Sequence, residues 1–566
     1  MILVDAKRIQ EMVAAGHWGV NTLYDAFLAC VERHPDQEAV VDPPNRETFT
    51  DGAPRRLDWR ALQVEVERLS AVLYRHGLRR DDVAVVQLPN SVEQVAVYLA
   101  CHRLGVVVSP LPSVYREHEI RHAVHTTKAA ALITAARIGK HAHADMMLAL
   151  AGTHPGVRAV LVFGESAPEG GISMKAELLG DLPLDEVRDY AASIGLTADD
   201  VFTICWTSGT EASPKGVPRS SNEWYWQARG TIDAAGLEPG MRMLNPFPLV
   251  NMGGMSWAFV GWLLGGGTLV QHHPFDLEVF LAQIRDERIE YTVVAPAILN
   301  RLLQHDALLQ GIDFKRLKRI GSGSAPLSPW MIENYAQRHG VEILNFFGSN
   351  EGAAMCGHPE DIPDPAERAT LFPRPFAPDM PAWSQKINNI MRARLANPET
   401  GTDIEAPGQP GELRIAGPTV FAGYYNAPDI NARSFDAQGY FKTGDLFEIT
   451  GAKGQYLRYV GRLKDLVVRG GMKISAEEIE ALILAHPDVA EVAVVGYPDA
   501  ELGERLCACV APRPGHSVDL ASLVEFLRTE KQVAAFKLPE RLRVLVALPR
   551  NPVGKVVKNA LRDLAL

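Results

Sequence analysis

Cysteine is scarce in this 566-residue chain: Cys30, Cys101, Cys205, Cys356, Cys507 and Cys509 are all there are. None forms a Cys-x-x-Cys pair and none sits with histidine at zinc spacing, which excludes a zinc ribbon or a thioredoxin-type redox motif. Reduced, packed thiols in a cytoplasmic protein are the expectation. Positive charge is also in deficit. The 57 Lys+Arg against 68 Asp+Glu leave a net charge of −11, so the clustered cations that nucleic acid requires are missing and no nucleic-acid partner is expected. Long apolar runs are absent too. The longest, 255–270, is broken by Gly265, Gly266 and Gly267 and falls short of the roughly 20 residues of a membrane-spanning helix. The first twelve residues carry charge and lack the apolar centre of an export signal. What is present is 47% hydrophobic and 22% charged, a globular composition. The length suggests about three to four structural units.

Strand and helix patterns alternate along the first 200 residues. Residues 83–88 form a β-branched run, broken at Pro89-Asn90. Ser91 to Gln94 has the spacing of a capping box, and Val92, Val95 and Leu99 follow at helical intervals. The rhythm returns at 117–134, 291–303 and 328–346, which predicts parallel sheets covered by helices. Residues 358–381 are crowded with proline and read as an extended surface segment. From about 411 the texture turns β-rich with glycine turns. The last hundred residues read as a compact α+β unit, with a helix over 475–486 and strands at 466–468 and 489–495.

Five segments could carry chemistry. Strand-like residues 201–206 run into Thr207-Ser-Gly-Thr-Glu-Ala-Ser-Pro-Lys-Gly216. Such a loop can turn several N–H groups and hydroxyls toward one anion, with Lys215 adding charge; a flexible surface loop fits the residues equally well. In Asn345-Phe-Phe-Gly-Ser-Asn-Glu-Gly352, a strand-end aromatic suits stacking on a base and Glu351 suits a hard cation, although a Phe pair is more often core. Asp445, after the turn in 440–446, could accept two ribose hydroxyls or be an ordinary turn aspartate. Arg462, Lys464 and Asp465 precede a strand, the Gly470-Gly471 turn and a helix capped by Ser475, a pattern that also suits a charged linker. Lys555 stands in a proline-bounded loop near the C-terminus and alone would read as solvated surface.

In this order, and with Gly323-Ser-Ala-Pro326, 411–417 and 423–426, these segments resemble the adenylate-forming (AMP-binding) superfamily of acyl-CoA synthetases, peptide-synthetase adenylation domains and luciferases, from about residue 61 to 561. The resemblance implies an α/β fold: a large N-terminal domain, 1–461, of parallel-rich sheets covered by helices plus a β-rich subdomain, and a small mobile α+β C-terminal domain, 462–566. It implies that a carboxylate attacks the α-phosphate of ATP, and that coenzyme A then displaces AMP to give a thioester. Thr207, Ser208, Gly209, Thr210, Lys215, Ser324, Phe347, Gly348, Asn350, Asp445 and Arg462 would then hold ATP. Phe347 would stack on adenine and Glu351 would bind Mg²⁺. Lys555 would be the catalytic lysine bridging carboxylate and α-phosphate, Lys464 the hinge, and Gly470 and Gly471 the coenzyme A tunnel. The chain departs from the family pattern at Glu211 and Ala212, at Asn350, at Val250-Asn251, and in the length of 358–381.

The resemblance brings Asn251, Met252, Trp257, Gly323, Gly348, Ala353 and Met355 to the acyl group. This set is mostly small or apolar and implies a bulky apolar acid: aromatic, alicyclic, steroid side-chain or fatty. Met252 and Trp257 read equally as core. Two rivals stand beside a carboxylate–CoA ligase: a stand-alone enzyme that loads a carrier-protein thiol, and a catalytically silent nucleotide-binding protein. Partners are small molecules, with no transmembrane segment and with a homodimer open to the chain.

Overall fold

A computed structural model describes residues 1–207, 214–323, 327–377, 382–469, 472–499, 501–531, 533–551 and 554–566. Among these residues the strands form four large sheets. The first runs in the order Ala354–Gly357, Glu342–Gly348, Arg319–Gly323, Tyr291–Val293, Arg242–Asn245, Thr268–Gln271, Glu38–Val41, Arg56–Asp58. Its six inner strands are parallel and only the two edges are antiparallel. The second sheet is parallel from Ile172–Ser173 through Ala159–Phe163, Ala131–Ala135, Val83–Gln87 and Val107–Pro110 to Val201–Trp206. It closes with an antiparallel strand, Gly216–Ser220. The α/β reading therefore holds, and the reason is visible in the strands. Val83–Gln87 and Val201–Trp206 are buried at every position, as parallel strands covered on both faces must be.

The helix Val92–Arg103 is buried along nearly its whole length between the two sheets. Around it lies the largest core, where Trp59 stacks on Trp262 at 4.7 Å and Tyr98, Phe202, Trp224 and Phe259 fill the remaining space. The capping-box expectation at Ser91 fails. The Ser91 side chain makes no cap hydrogen bond. Instead the Val92 N–H donates to Asp42 Oδ1 at 2.8 Å, and the Glu93 carboxylate is taken by Arg46 and Arg55. A buried ion network has displaced the local cap.

The third sheet is antiparallel: Leu371–Pro373, Tyr456–Arg462, Phe441–Thr450, Gly411–Ala416, Arg392–Ala396. Its first strand corrects the reading of 358–381 as an extended surface segment. Pro365 starts a short helix, Pro365–Arg368, where a missing N–H costs nothing. The Arg368 side chain is 1% exposed and donates to the carbonyl of Ile362 at 3.0 Å. Residues 378–381 lie outside the described residues.

The fourth sheet uses only residues 466–544 and packs the helices Ala476–Leu484 and Leu520–Thr529. Cys507 and Cys509 face the same way in its strand Gly503–Pro512, as the period of two requires, and both are buried. This unit meets the rest of the chain at the 3₁₀ turn Leu463–Asp465. There Arg562 reaches back to Asp465 Oδ1 at 3.0 Å. No helix among the described residues is long and apolar enough to cross a membrane.

Candidate active site

The strand Val201–Trp206 delivers Thr207 to the neck of a loop. The Thr207 N–H donates to the carbonyl of Lys215 at 3.0 Å, and the Lys215 N–H returns to Thr207 Oγ1 at 2.9 Å. The neck is buttressed from outside, because the His122 ring nitrogen lies 2.8 Å from the carbonyl of Pro214. Lys215 Nζ stands 4.8 Å from the centroid of the Tyr424 ring. The Tyr424 hydroxyl in turn donates to Glu351 Oε1 at 2.9 Å. One cation, one phenol and one carboxylate from three distant segments thus converge where the loop begins and ends. Ser208, Gly209 and Thr210, with Glu211 and Ala212, lie outside the described residues, as do Ser324, Gly470 and Gly471.

A second group lies on the antiparallel sheet. Asp445 pairs in register with Arg462, and Arg462 Nε donates to Asp445 Oδ1 at 2.8 Å. Asp445 is 3% exposed. Burial lifts its carboxyl above the usual aspartate range even though Arg462 pulls the other way. Burial would lower the guanidinium as well, but Asp445, Tyr459 and Asp465 together carry Arg462 above its ordinary value.

Lys555 arrives from the C-terminal unit on a short hairpin, where its N–H donates to Asn551 Oδ1 at 2.9 Å. Its side chain keeps exposed surface but is hemmed in by protein, as a group at the mouth of a cleft is. Desolvation and the nearby Arg462 lower its pKa, and Asp445 and Glu351 oppose the shift. The lysine therefore shares one electrostatic neighbourhood with the Asp445–Arg462 pair and with Glu351.

Beside these groups lies a cavity of about 90 Å³. Met252, Gly323, Phe346, Phe347, Gly348 and Met355 supply one part of the lining, and Gln227, Gly230, Thr231 and Ile387 another. Two glycines are required there. A Cβ on Gly323 would come within 2.3 Å of the Phe346 carbonyl, and one on Gly348 within 2.3 Å of Met252 Cε. The backbone can approach these neighbours so closely only because the side chains are missing.

Residues 27–425 match the model of the AMP-binding enzyme family, and 478–555 match that family's C-terminal domain. The chain belongs to this family of adenylate-forming enzymes. Among relatives, a 2-hydroxy-7-methoxy-5-methyl-1-naphthoate–CoA ligase of Streptomyces carzinostaticus is 32% identical, over 98% of this chain and 94% of its own. A salicylyl-CoA synthase/salicylate adenylyltransferase of a Streptomyces species is 31% identical, over 99% and 96%. Among solved structures, ATP-bound MatB of Rhodopseudomonas palustris superposes with a TM-score of 0.76 at 26% identity, covering 96% of this chain and 99% of that one.

Several residues expected at the sites of this adenylate-forming enzyme have other surroundings. Asn350 was expected among the ATP ligands, but both ends of its amide are occupied. Nδ2 donates to the carbonyl of Trp206 at 3.1 Å, and Oδ1 accepts from the Met252 N–H at 2.7 Å. It ties the strand before the loop to the residue that opens the cavity. Three expected acyl contacts do not line the cavity. The Asn251 side chain folds back to cap the Gly253 N–H at 2.9 Å. Trp257 turns its indole onto Tyr291, with Nε1 donating to the carbonyl of Gly253 at 2.7 Å. Ala353 is 1% exposed, and its carbonyl accepts from Gln227 Nε2 at 3.0 Å. Met252, Gly323, Gly348 and Met355 do line it, and so does Phe347, which was expected at the nucleotide. The ring of Phe347 is also packed edge-on against Phe447 at 5.1 Å. Gln227, Gly230 and Thr231 went unread, although their i, i+3, i+4 spacing marks one face of the helix Ser221–Ala235. Nothing in the sequence pointed to Ile387.

Proposed function

We propose that this enzyme is an acid–thiol ligase that activates a compact ring carboxylic acid with ATP, giving an acyl adenylate and pyrophosphate. It then passes the acyl group to the thiol of coenzyme A, releasing AMP. The observation that carries this reading is the grouping of Lys555 with Asp445, Arg462 and Glu351 beside a small apolar cavity that begins at Gly323 and Gly348. Both relatives described above are named for aromatic acids, which favours a ring acid.

In this reading no enzyme nucleophile is needed, and catalysis is positioning plus charge stabilisation at phosphorus. Lys555 holds the attacking carboxylate against the α-phosphate and neutralises the charge that grows there. Thr207 and Lys215 hold the outer phosphates at the loop neck. Asp445 accepts the ribose hydroxyls, with its carboxylate kept in place by Arg462. Phe347 lies between the acid and the base. Glu351 offers hard anionic oxygen, steadied by Tyr424, which fits the single carboxylate that Mg²⁺ takes when phosphates supply its other ligands. Bound there, Mg²⁺ would neutralise the leaving pyrophosphate. We further propose the division at 461/462, with Lys464 as the hinge on which the C-terminal domain turns between half-reactions and Gly470 and Gly471 lining the thiol's path.

The test is carboxylate-dependent ATP–pyrophosphate exchange over a panel of acids, followed by thioester formation with coenzyme A and with a carrier protein offered in parallel. Exchange strongest with one- and two-ring acids, and a thioester on coenzyme A, is the expected outcome. Exchange with no acid removes the activity, and a thioester on the carrier alone reassigns the acceptor.

A further inference from the structure

The cavity has one wall that no motif announced. Ile387 belongs to a one-turn helix, Lys386–Ile390, in the long segment that follows the proline-rich stretch. It is 2% exposed and lines the cavity. A helix this short does not hold itself together by propensity, so its anchors matter. The Trp383 N–H donates to Asn389 Oδ1 at 2.8 Å, and Asn389 Nδ2 donates back to the Trp383 carbonyl at 2.8 Å. Trp383 Nε1 reaches the carbonyl of Arg374 at 3.0 Å, and the Ser384 N–H reaches Asp361 Oδ1 at 2.8 Å. Ile387 is therefore presented by a braced turn.

Opposite it, the helix Ser221–Ala235 carries Gly230 at the point of contact. A Cβ at 230 would lie 3.3 Å from Ile387 Cγ2 and 3.4 Å from its Cβ. Glycine in a helix interior is unfavourable by itself; here it lets Ile387 stand back against the helix. Any side chain at 230 would press Ile387 by a few tenths of an ångström, and the open side is the cavity.

We propose that Ile387 is a specificity-determining residue of the acid site, gauging one-ring against two-ring aromatic acids, with Gly230 setting how far its side chain stands back. This rests on the acid-activating reading above. One methylene in an apolar pocket changes discrimination by about 10–200-fold. In ATP–pyrophosphate exchange with benzoate and 1-naphthoate, Ile387→Ala should raise the naphthoate/benzoate ratio of kcat/KM at least ~10-fold. Ile387→Val should raise it less, and Gly230→Ala should lower it. Calorimetric titration of both acids, without ATP, should give the same order of binding ratios. Gly230→Ala also guards against misfolding, since alanine favours the helix. A purely structural glycine would leave the ratio alone. Ratios within twofold of the unsubstituted enzyme, or equal losses for both acids, overturn the proposal. If the unsubstituted enzyme exchanges with no acid at all, the functional reading fails, and the binding ratios still decide the role of Ile387.

Discussion

At the scale of single residues, charge placement dominates. Lys555 brings one cation into a neighbourhood that holds two carboxylates, Asp445 and Glu351, and one guanidinium, Arg462. On the proposed role, removing it deletes the group that meets the growing charge at the α-phosphate, and losing one such donor costs about 10²–10³-fold in rate. Lys555→Ala should therefore depress acyl-adenylate formation by that order, while thioester formation from supplied acyl adenylate survives within a few-fold. Rapid-quench measurement of the two half-reactions checks this, and equal loss in both would rule out the role. Asn350 makes a different claim. Its amide joins the carbonyl of Trp206 to the N–H of Met252, so Asn350→Leu strands two backbone groups at about 1–3 kcal/mol each. The melting temperature should fall, and KM should rise for both ATP and acid. A rise for ATP alone, at unchanged stability, would mean that the amide touches the nucleotide directly. The sequence showed that Asn350 stood at an unusual position but not which groups it would join, because its partners come from residues 206 and 252.

At the scale of elements, the start of the helix Ala476–Leu484 is the most heavily burdened. Glu477 is half-buried there, and a Cβ on Gly461 would lie 2.7 Å from its Oε2. Burial pushes its carboxyl up to about 7, helped by Glu480 and Asp465 and opposed by Lys558. Lys558 is raised as well, but it stands 2.7 Å from Glu480 and 3.7 Å from Glu477, so its charge serves Glu480 first. A carboxyl raised from 4.5 to about 7 favours the fold while neutral. That stabilisation is complete below pH about 4.5 and is lost as pH rises through about 7. Glu477→Gln should thus melt higher than the parent at pH 8.5 and nearly level with it at pH 5; a constant difference across that range would refute the assignment. At the far end of the chain, the helix Ala6–Ala14 sends Arg8 to the carbonyls of Gly417, Val420 and Phe421. It braces the loop that carries Tyr424 to Glu351.

At the scale of the whole molecule, the candidate site is divided between units joined along the chain by one short turn. The loop neck, Glu351 and the cavity belong to the first part of the chain, and Lys555 belongs to the unit built on the fourth sheet. On the proposed function, a thiol in the second half-reaction takes the space of Lys555, and the unit would turn about the segment Leu463–Asp465 to release it. Lys464→Pro removes a backbone donor and fixes φ there. It should slow thioester formation at least ~10-fold more than adenylation, about 1.4 kcal/mol of barrier. Equal rates in single-turnover assays would relocate the hinge.

The fold class and the family were legible along the chain, because each rests on local patterns in a fixed order: buried β-branched runs, a cluster of small hydroxyl residues, a capped helix. The Ser91 cap was misread because Asp42, fifty residues away in sequence, satisfied the Val92 N–H first. Trp257, which read equally as core or acyl contact, packs in the core, and so does the Ala353 side chain. The cavity proposed for the acid was decided only by tertiary structure. Its walls, Gly230, Ile387, Gly348 and Met252, come from separate elements, and the contacts that shape it are approaches between backbones and side chains that no local spacing encodes.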